Sequence, residues 1–234
     1  MTTLASRPRC RGGGTARTAT ALAVTSLLGF GLVAASPPPA SATSSTELYV
    51  ATSGTTGGPC SISKPCSSVS RAVVVANHEP FNFTPVAVNV GRGHFVTSLN
   101  FPDMSYPEPM LTISGLSPSA TTLTGNGSSA VLYALADAPR MTVQDLTITG
   151  GTAPVHDGGN FMNFIDVTFS HNAPGGALFD DGGTMSVSDS TFTNNAFTTT
   201  TSGGGAISEV GGSLTIVGSL LTGNSVKGAQ IGRA

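Results

Sequence analysis

The stretch from Gly175 to Asn195, GGALFDDGGTMSVSDSTFTNN, decides how the chain is read, because Gly204 to Asn224, GGAISEVGGSLTIVGSLLTGN, repeats it. Setting Asp189 against Gly218 brings Met185 to Leu214, Val187 to Ile216, Phe192 to Leu221 and Asn195 to Asn224. Working backwards, Asp166 brings Met162, Phe164, Phe169 and Asn172 to the same offsets. Asp145 follows with Met141, Val143 and Ile148, with Gly151 in place of the asparagine. The anchors lie 21, 23 and 29 residues apart. Repeats of this length mark a solenoid, since one unit alone cannot bury its apolar face.

The units are rich in Thr, Ser, Val, Ile, Phe and Gly, which favours pleated strands and turns over helices. Met185 and Val187 alternate with Ser186 and Ser188, a period of two that turns the apolar pair inward and the serines outward. Gly-Gly pairs at 158–159, 175–176, 182–183 and 211–212 punctuate the strands. Three short strands per coil, stacked about 4.8 Å apart, give an all-β parallel β-helix; residues 86–234 provide about six coils and a rod roughly 30 Å long. Val86 to Val96 is expected to be an early coil, with Val88, Val90 and Phe95 at the offsets of Met185, Val187 and Phe192. Asn172, Asn195 and Asn224 share one offset. They would stack as an amide ladder, or simply tolerate the left-handed backbone of a turn.

Gly-Gly-Ala-(Ile/Leu) alternates with Phe-x-x-Asn at GGAL (175–178), GGAI (204–207), FSHN (169–172) and FTNN (192–195), with LTGN (221–224) a weaker copy. This pattern resembles the polymorphic membrane protein repeats of chlamydiae. The resemblance implies an extracellular right-handed β-helix passenger used in adhesion, and by extension an outer-membrane location. The family's outer-membrane β-barrel is not expected in this chain, which stops after the repeats.

The N-terminus reads as an export signal. Arg7, Arg9, Arg11 and Arg17 precede an apolar run from Ala19 to Ala35, and Ala40-Ser41-Ala42 is a small-residue cleavage site. An uncleaved membrane anchor is the alternative, although the run is short and diluted by Thr, Ser and Gly. Four of the ten basic residues sit in this leader and all twelve acidic ones lie beyond it, so the mature part carries a net charge of −6. That argues against nucleic acid or an anionic membrane as partner. Cys60 and Cys66 are the only cysteines past the leader, and in an exported protein they suggest a small disulfide-closed loop, with two free thiols as the alternative.

The domain reading is therefore a signal peptide at 1–42, an N-terminal cap at 43–85 and a β-helix at 86–234 that looks truncated. In the cap, Glu47 to Thr52 is expected as a strand and Ser67 to Asn77 as a short helix with a serine cap. A strand, a cysteine loop and a helix at this place would cover the first coil. The same opening resembles secreted proteins of the pectin-lyase-like β-helix superfamily, where polysaccharide lyases and glycosidases are common.

Such chemistry needs paired carboxylates, or clustered acids for calcium with a base nearby. The nearest candidates are Asp180 and Asp181, with Asp157, His156 and His171 as neighbours on adjacent coils. Adjacent aspartates on a strand face opposite ways, so only one of the two can line a groove. Asp145, Asp166 and Asp189 share an offset and would attract Ca²⁺ as a column or, alternatively, shape turns. The four histidines share no metal-ligand spacing, and no nucleophile elbow, phosphate loop or dinucleotide fingerprint occurs. No cofactor is expected. The sequence thus predicts a secreted or cell-surface, non-catalytic adhesion module whose partners are surface glycans or cell-surface proteins; the alternative is a polysaccharide lyase or glycoside hydrolase.

Overall fold

A computed structural model describes residues 45–78, 84–101, 110–136, 138–152, 154–198 and 203–227. The expected export leader, and residues 102–109 and 228–234 of the expected β-helix, lie outside these residues.

The chain opens with strand β1 (Thr46–Thr55) and helix α1 (Val69–His78). A first pass follows as β2 (Val86–Val90), β3 (Gly93–Val96) and β4 (Leu99–Phe101), and a second as β5 (Met110–Ser114), β6 (Thr121–Thr124) and β7 (Leu132–Leu135). In the next two passes the first two strands run together: β8 (Arg140–Thr149) with β9 (Val155–Gly158), then β10 (Phe161–Ser170) with β11 (Leu178–Asp181). The fifth pass contains β12 (Thr184–Ser188), β13 (Thr191–Thr193), β14 (Ala196–Phe197) and β15 (Ile207–Val210). The last described strands are β16 (Ser213–Val217), β17 (Leu220–Thr222) and β18 (Ser225–Val226).

Every pairing between these strands is parallel, and each strand pairs with its counterpart in the neighbouring pass. One row runs β1-β2-β5-β8-β10-β12-β16. A second row, in the same 11-stranded sheet, joins β3, β6, the later halves of β8 and β10, β13 and β17. A third row is a separate sheet, β4-β7-β9-β11-β15. The fold is all-β with parallel sheets, and no sheet closes on itself.

The register matches the repeat alignment. Met141, Met162, Met185 and Leu214 pair in succession, as do Val143, Phe164, Val187 and Ile216. In the second row Ile148, Phe169, Phe192 and Leu221 do the same. Phe169 stacks on Phe192 with ring centroids 4.7 Å apart, and Phe164 meets Phe169 edge-on at 5.4 Å. Such aromatic pairs add about 1 kcal/mol each beyond the area they bury. One alignment is corrected: Val86 and Val88, not Val88 and Val90, continue the columns of Met185 and Val187 through Leu111 and Ile113. A slip of two residues keeps every side chain on its face, and Val90 is still buried, so alternation alone is blind to it.

Two bends shape each later pass. Between the first and second rows Asp145, Asp166, Asp189 and Gly218 all have φ between 50° and 62°. After the second row His171, Asn194, Gly150 and Gly223 are again left-handed, each just before the position of Asn172, Asn195, Gly151 or Asn224. Asn and Asp tolerate this backbone better than other residues with side chains, which explains their recurrence. The Gly-Gly-Ala motif has a different cause: any side chain on Gly176 would run into the carbonyl of Gly204 on the next pass.

Candidate functional site

In β7, β9 and β11 the third row alternates cleanly. Ala134, Asp157 and Asp180 form one column facing into the protein, while Tyr133, His156 and Phe179 form another facing out. In β15 the pattern breaks, Ser208 being buried and Glu209, the register partner of Asp180, exposed. Asp181 pairs with Val210 on the outer side. The two candidate catalytic residues are therefore separated by the sheet: Asp180 is fully buried and Asp181 is exposed.

The buried acids hold turns. Asp157 Oδ1 accepts hydrogen bonds from the N–H groups of Gly159 (3.1 Å) and Asn160 (2.6 Å), and Asp180 Oδ1 accepts one from Gly183 (2.7 Å). Each thereby caps the Gly-Gly turn that follows its strand. Gly183 has to be glycine for this packing, because a side chain there would meet Asp157 Oδ2. The second oxygens, Asp157 Oδ2 and Asp180 Oδ2, are buried without a hydrogen-bond partner. Burial pushes the Asp157 carboxyl above its ordinary value, and the Asp180 carboxylate beside it pushes the same way. The N–H bonds from Asn160 and Gly159 oppose them.

On the outer side, His156 lies between Tyr133 and Phe179, with centroids 4.7 Å and 4.9 Å away. Burial lowers its pKa and the nearby Asp181 carboxylate partly restores it, so the imidazole is neutral at pH 7. The arrangement places one acid beside one neutral base on an aromatic strip. Within this row two carboxylates are exposed among the described residues, Asp181 and, one pass on, Glu209, which is in register with Asp180 and not with Asp181. Of the expected neighbours of Asp180, the structure brings up His156 and Asp157 but not His171, which is exposed at the bend after β10.

Asp145, Asp166 and Asp189 stand at one bend in successive passes, where their part is the left-handed backbone. Among the described residues no group of three His, Cys, Asp or Glu is placed to hold a metal ion. Asn172, Asn195 and Asn224 do bond to one another. Asn172 Nδ2 donates to Asn195 Oδ1 and Asn195 Nδ2 to Asn224 Oδ1, both at 2.9 Å. The same oxygens accept the backbone N–H of Asn172 and of Asn195, and each amide also donates to a carbonyl of the preceding pass. Asn172 and Asn195 are fully buried, so every bond in the column spares a desolvated polar group.

Two features escaped the sequence reading. The aromatic strip carries a simple signal, since Tyr133, His156 and Phe179 are each 23 residues apart. The second is a serine relay: Ser190 Oγ accepts from the N–H of Val167 and donates to the Ser188 carbonyl, and Ser219 repeats this one pass later. Elsewhere, Cys60 and Cys66 are joined by a buried disulfide. Beside it lies a shallow depression lined in part by Tyr49, Ile62, Asn89 and Leu116, with Asn89 donating to Glu47.

The second row presents the most regular outer surface. Thr122, Thr147, Thr168 and Thr191 pair in one column, and Thr124, Thr149, Ser170, Thr193 and Thr222 in the next. No described helix is long and apolar enough to cross a membrane. No protein-family model, curated protein or solved structure matches this chain.

Proposed function

We propose that the chain winds as a right-handed parallel β-helix and acts outside the cell as a non-catalytic adhesion module, similar to polymorphic membrane protein repeats. The winding is supported by the unvarying order in which the chain visits its three rows, together with the strong preference of parallel crossovers for the right hand. Export is supported by the Arg-rich, apolar and small-residue succession of the leader and by the buried disulfide.

The single observation that carries the binding reading is the separation of Asp180 from Asp181. One acid is spent on a buried turn and the other lies on the opposite face of the strand, while the outer faces offer ordered hydroxyls and an aromatic strip. Hydroxyl columns and half-exposed rings suit glycans and glycoproteins, which present hydroxyls and C–H faces in return. The test is a glycan-array and cell-binding screen on folded protein, in which a saturable ligand is expected.

A second reading rests on Asp181 beside neutral His156, an acid and a base on one surface. It makes the chain a polysaccharide lyase with His156 as proton acceptor. Following ultraviolet absorbance with polygalacturonate, alginate and glycosaminoglycans, with and without Ca²⁺, decides between them. Turnover abolished by His156→Ala or Asp181→Ala would replace the adhesion reading.

A further inference from the structure

The outer side of the third row combines three features that point to one kind of ligand. Tyr133, His156 and Phe179 are half-exposed, and His156 is in register with the residue on either side of it. The planes of neighbouring rings are inclined by 42° and 44°, so the three fan out instead of closing into a single stack. Two residues further along the same strands, Leu135 is exposed, Gly158 has no side chain and Asp181 is exposed. Gly158 thus leaves a gap between Leu135 and the Asp181 carboxylate, alongside the aromatic column.

Charge on these strands has one sign. The five strands of the row hold Asp157, Asp180, Asp181 and Glu209 and no lysine or arginine. The faces of the Tyr133 and Phe179 rings add their own negative potential, and a neutral His156 does not oppose it. Such a surface repels an acidic polysaccharide, and a neutral one gains only stacking. A sugar with a free amine gains twice, laying its C–H face on a ring and its ammonium against a carboxylate. A basic peptide fits less well, because β7, β9 and β11 are each paired on both sides and offer a peptide backbone no strand edge.

We propose that the strip of Tyr133, His156 and Phe179, with Asp181 at its flank, binds a glycan bearing free amino groups, of the glucosamine-polymer type. Sugar rings lie on the aromatic side chains, and an ammonium sits over Gly158 beside Asp181. The Tyr133 hydroxyl and the His156 ring nitrogens supply hydrogen-bond partners for the sugar hydroxyls. This inference rests on the adhesion reading and narrows its ligand to one class of glycan and one face of the protein.

Calorimetric titration of the full chain at pH 6, where the amines are charged, tests it with four probes: a glucosamine oligomer, the same oligomer N-acetylated, an oligogalacturonate and an oligolysine. The free-amine oligomer should bind about fivefold more tightly than the acetylated one, and the oligogalacturonate should not bind. Asp181→Asn should erase that preference without changing affinity for the acetylated oligomer. Tyr133→Ala and Phe179→Ala should each weaken both about tenfold, and Ile62→Ala, in the cysteine loop, should weaken neither. Circular dichroism is run on every variant, and Tyr133→Ala serves if Phe179→Ala fails to fold. Equal affinity for the two oligomers, a preference that survives Asp181→Asn, or binding indifferent to both rings would overturn the inference and leave the adhesion reading standing. Tighter binding of oligolysine would overturn it in favour of a basic peptide. A folded chain that binds no glycan of any charge would overturn the inference and the adhesion reading together.

Discussion

The two ends of the strand stack solve one problem differently. A parallel stack leaves unpaired backbone groups and half-covered apolar residues at each end. At the β1 end the chain covers them itself, with a disulfide-closed loop bonding the strand edge and a helix over the core. At the β16 end, Ile216, Leu220 and Leu221 remain exposed. The middle of the stack draws its stability from neighbours on both sides, whereas among the described residues β16 and β17 pair on one side only. Position in the stack, more than residue type, should therefore set the effect of a substitution.

The largest contrast is expected between Phe192 and Leu221, which pair in adjacent passes. Phe192→Ala empties a site packed against Phe169 and should cost about 4 kcal/mol in urea unfolding, whereas Leu221→Ala should cost less than about 1 kcal/mol. The asparagines come next. Asn195→Ala strands the buried N–H of Asn172 and one of its two Nδ2 hydrogens and should cost about 3 kcal/mol, against about 1 kcal/mol for Asn224→Ala at the exposed end. Equal costs within either pair would break the comparison.

At the covered end, replacing Cys60 and Cys66 together by serine should cost about 2 kcal/mol, as expected for a short closed loop. The smallest effect concerns charge. The folded state holds the Asp157 proton more tightly than the unfolded chain does, because its pKa is raised. That stability is complete below the unfolded value of about 3.9 and is lost as pH rises through the folded one. Asp157→Asn keeps the turn-capping oxygen without the charge, so it should raise the melting temperature by about 2 °C at pH 7 and leave it unchanged at pH 3. Glu209→Gln, in register with Asp180 but exposed, should change neither.

Much of the fold was legible because the chain repeats itself. Once Asp189 was set on Gly218, the pairing of Met185 with Leu214 and Phe192 with Leu221 followed, and the structure has those registers. The early strand was misplaced by two residues because its bend runs through Val90, Gly91 and Arg92 without the aspartate that marks later bends. Ser68 capping Arg71 at the start of α1, and the Cys60–Cys66 pair, were readable from local chemistry. The candidate site was less legible. Strand parity separated Asp180 from Asp181, but not which of them is buried, since that depends on where the preceding turn sets the pleat. The strip of Tyr133, His156 and Phe179 stayed hidden because its members differ in type, and only their even spacing links them.

Amide hydrogen exchange resolved to single strands tests the contrast between the ends most directly. Protection should be greatest in β8, β10 and β12, stay high in β1 because the disulfide loop and α1 cover it, and fall sharply in β16 and β17. Amides of β16 and β17 as slow as those of β12, or amides of β1 as fast as those of β16, would contradict the account.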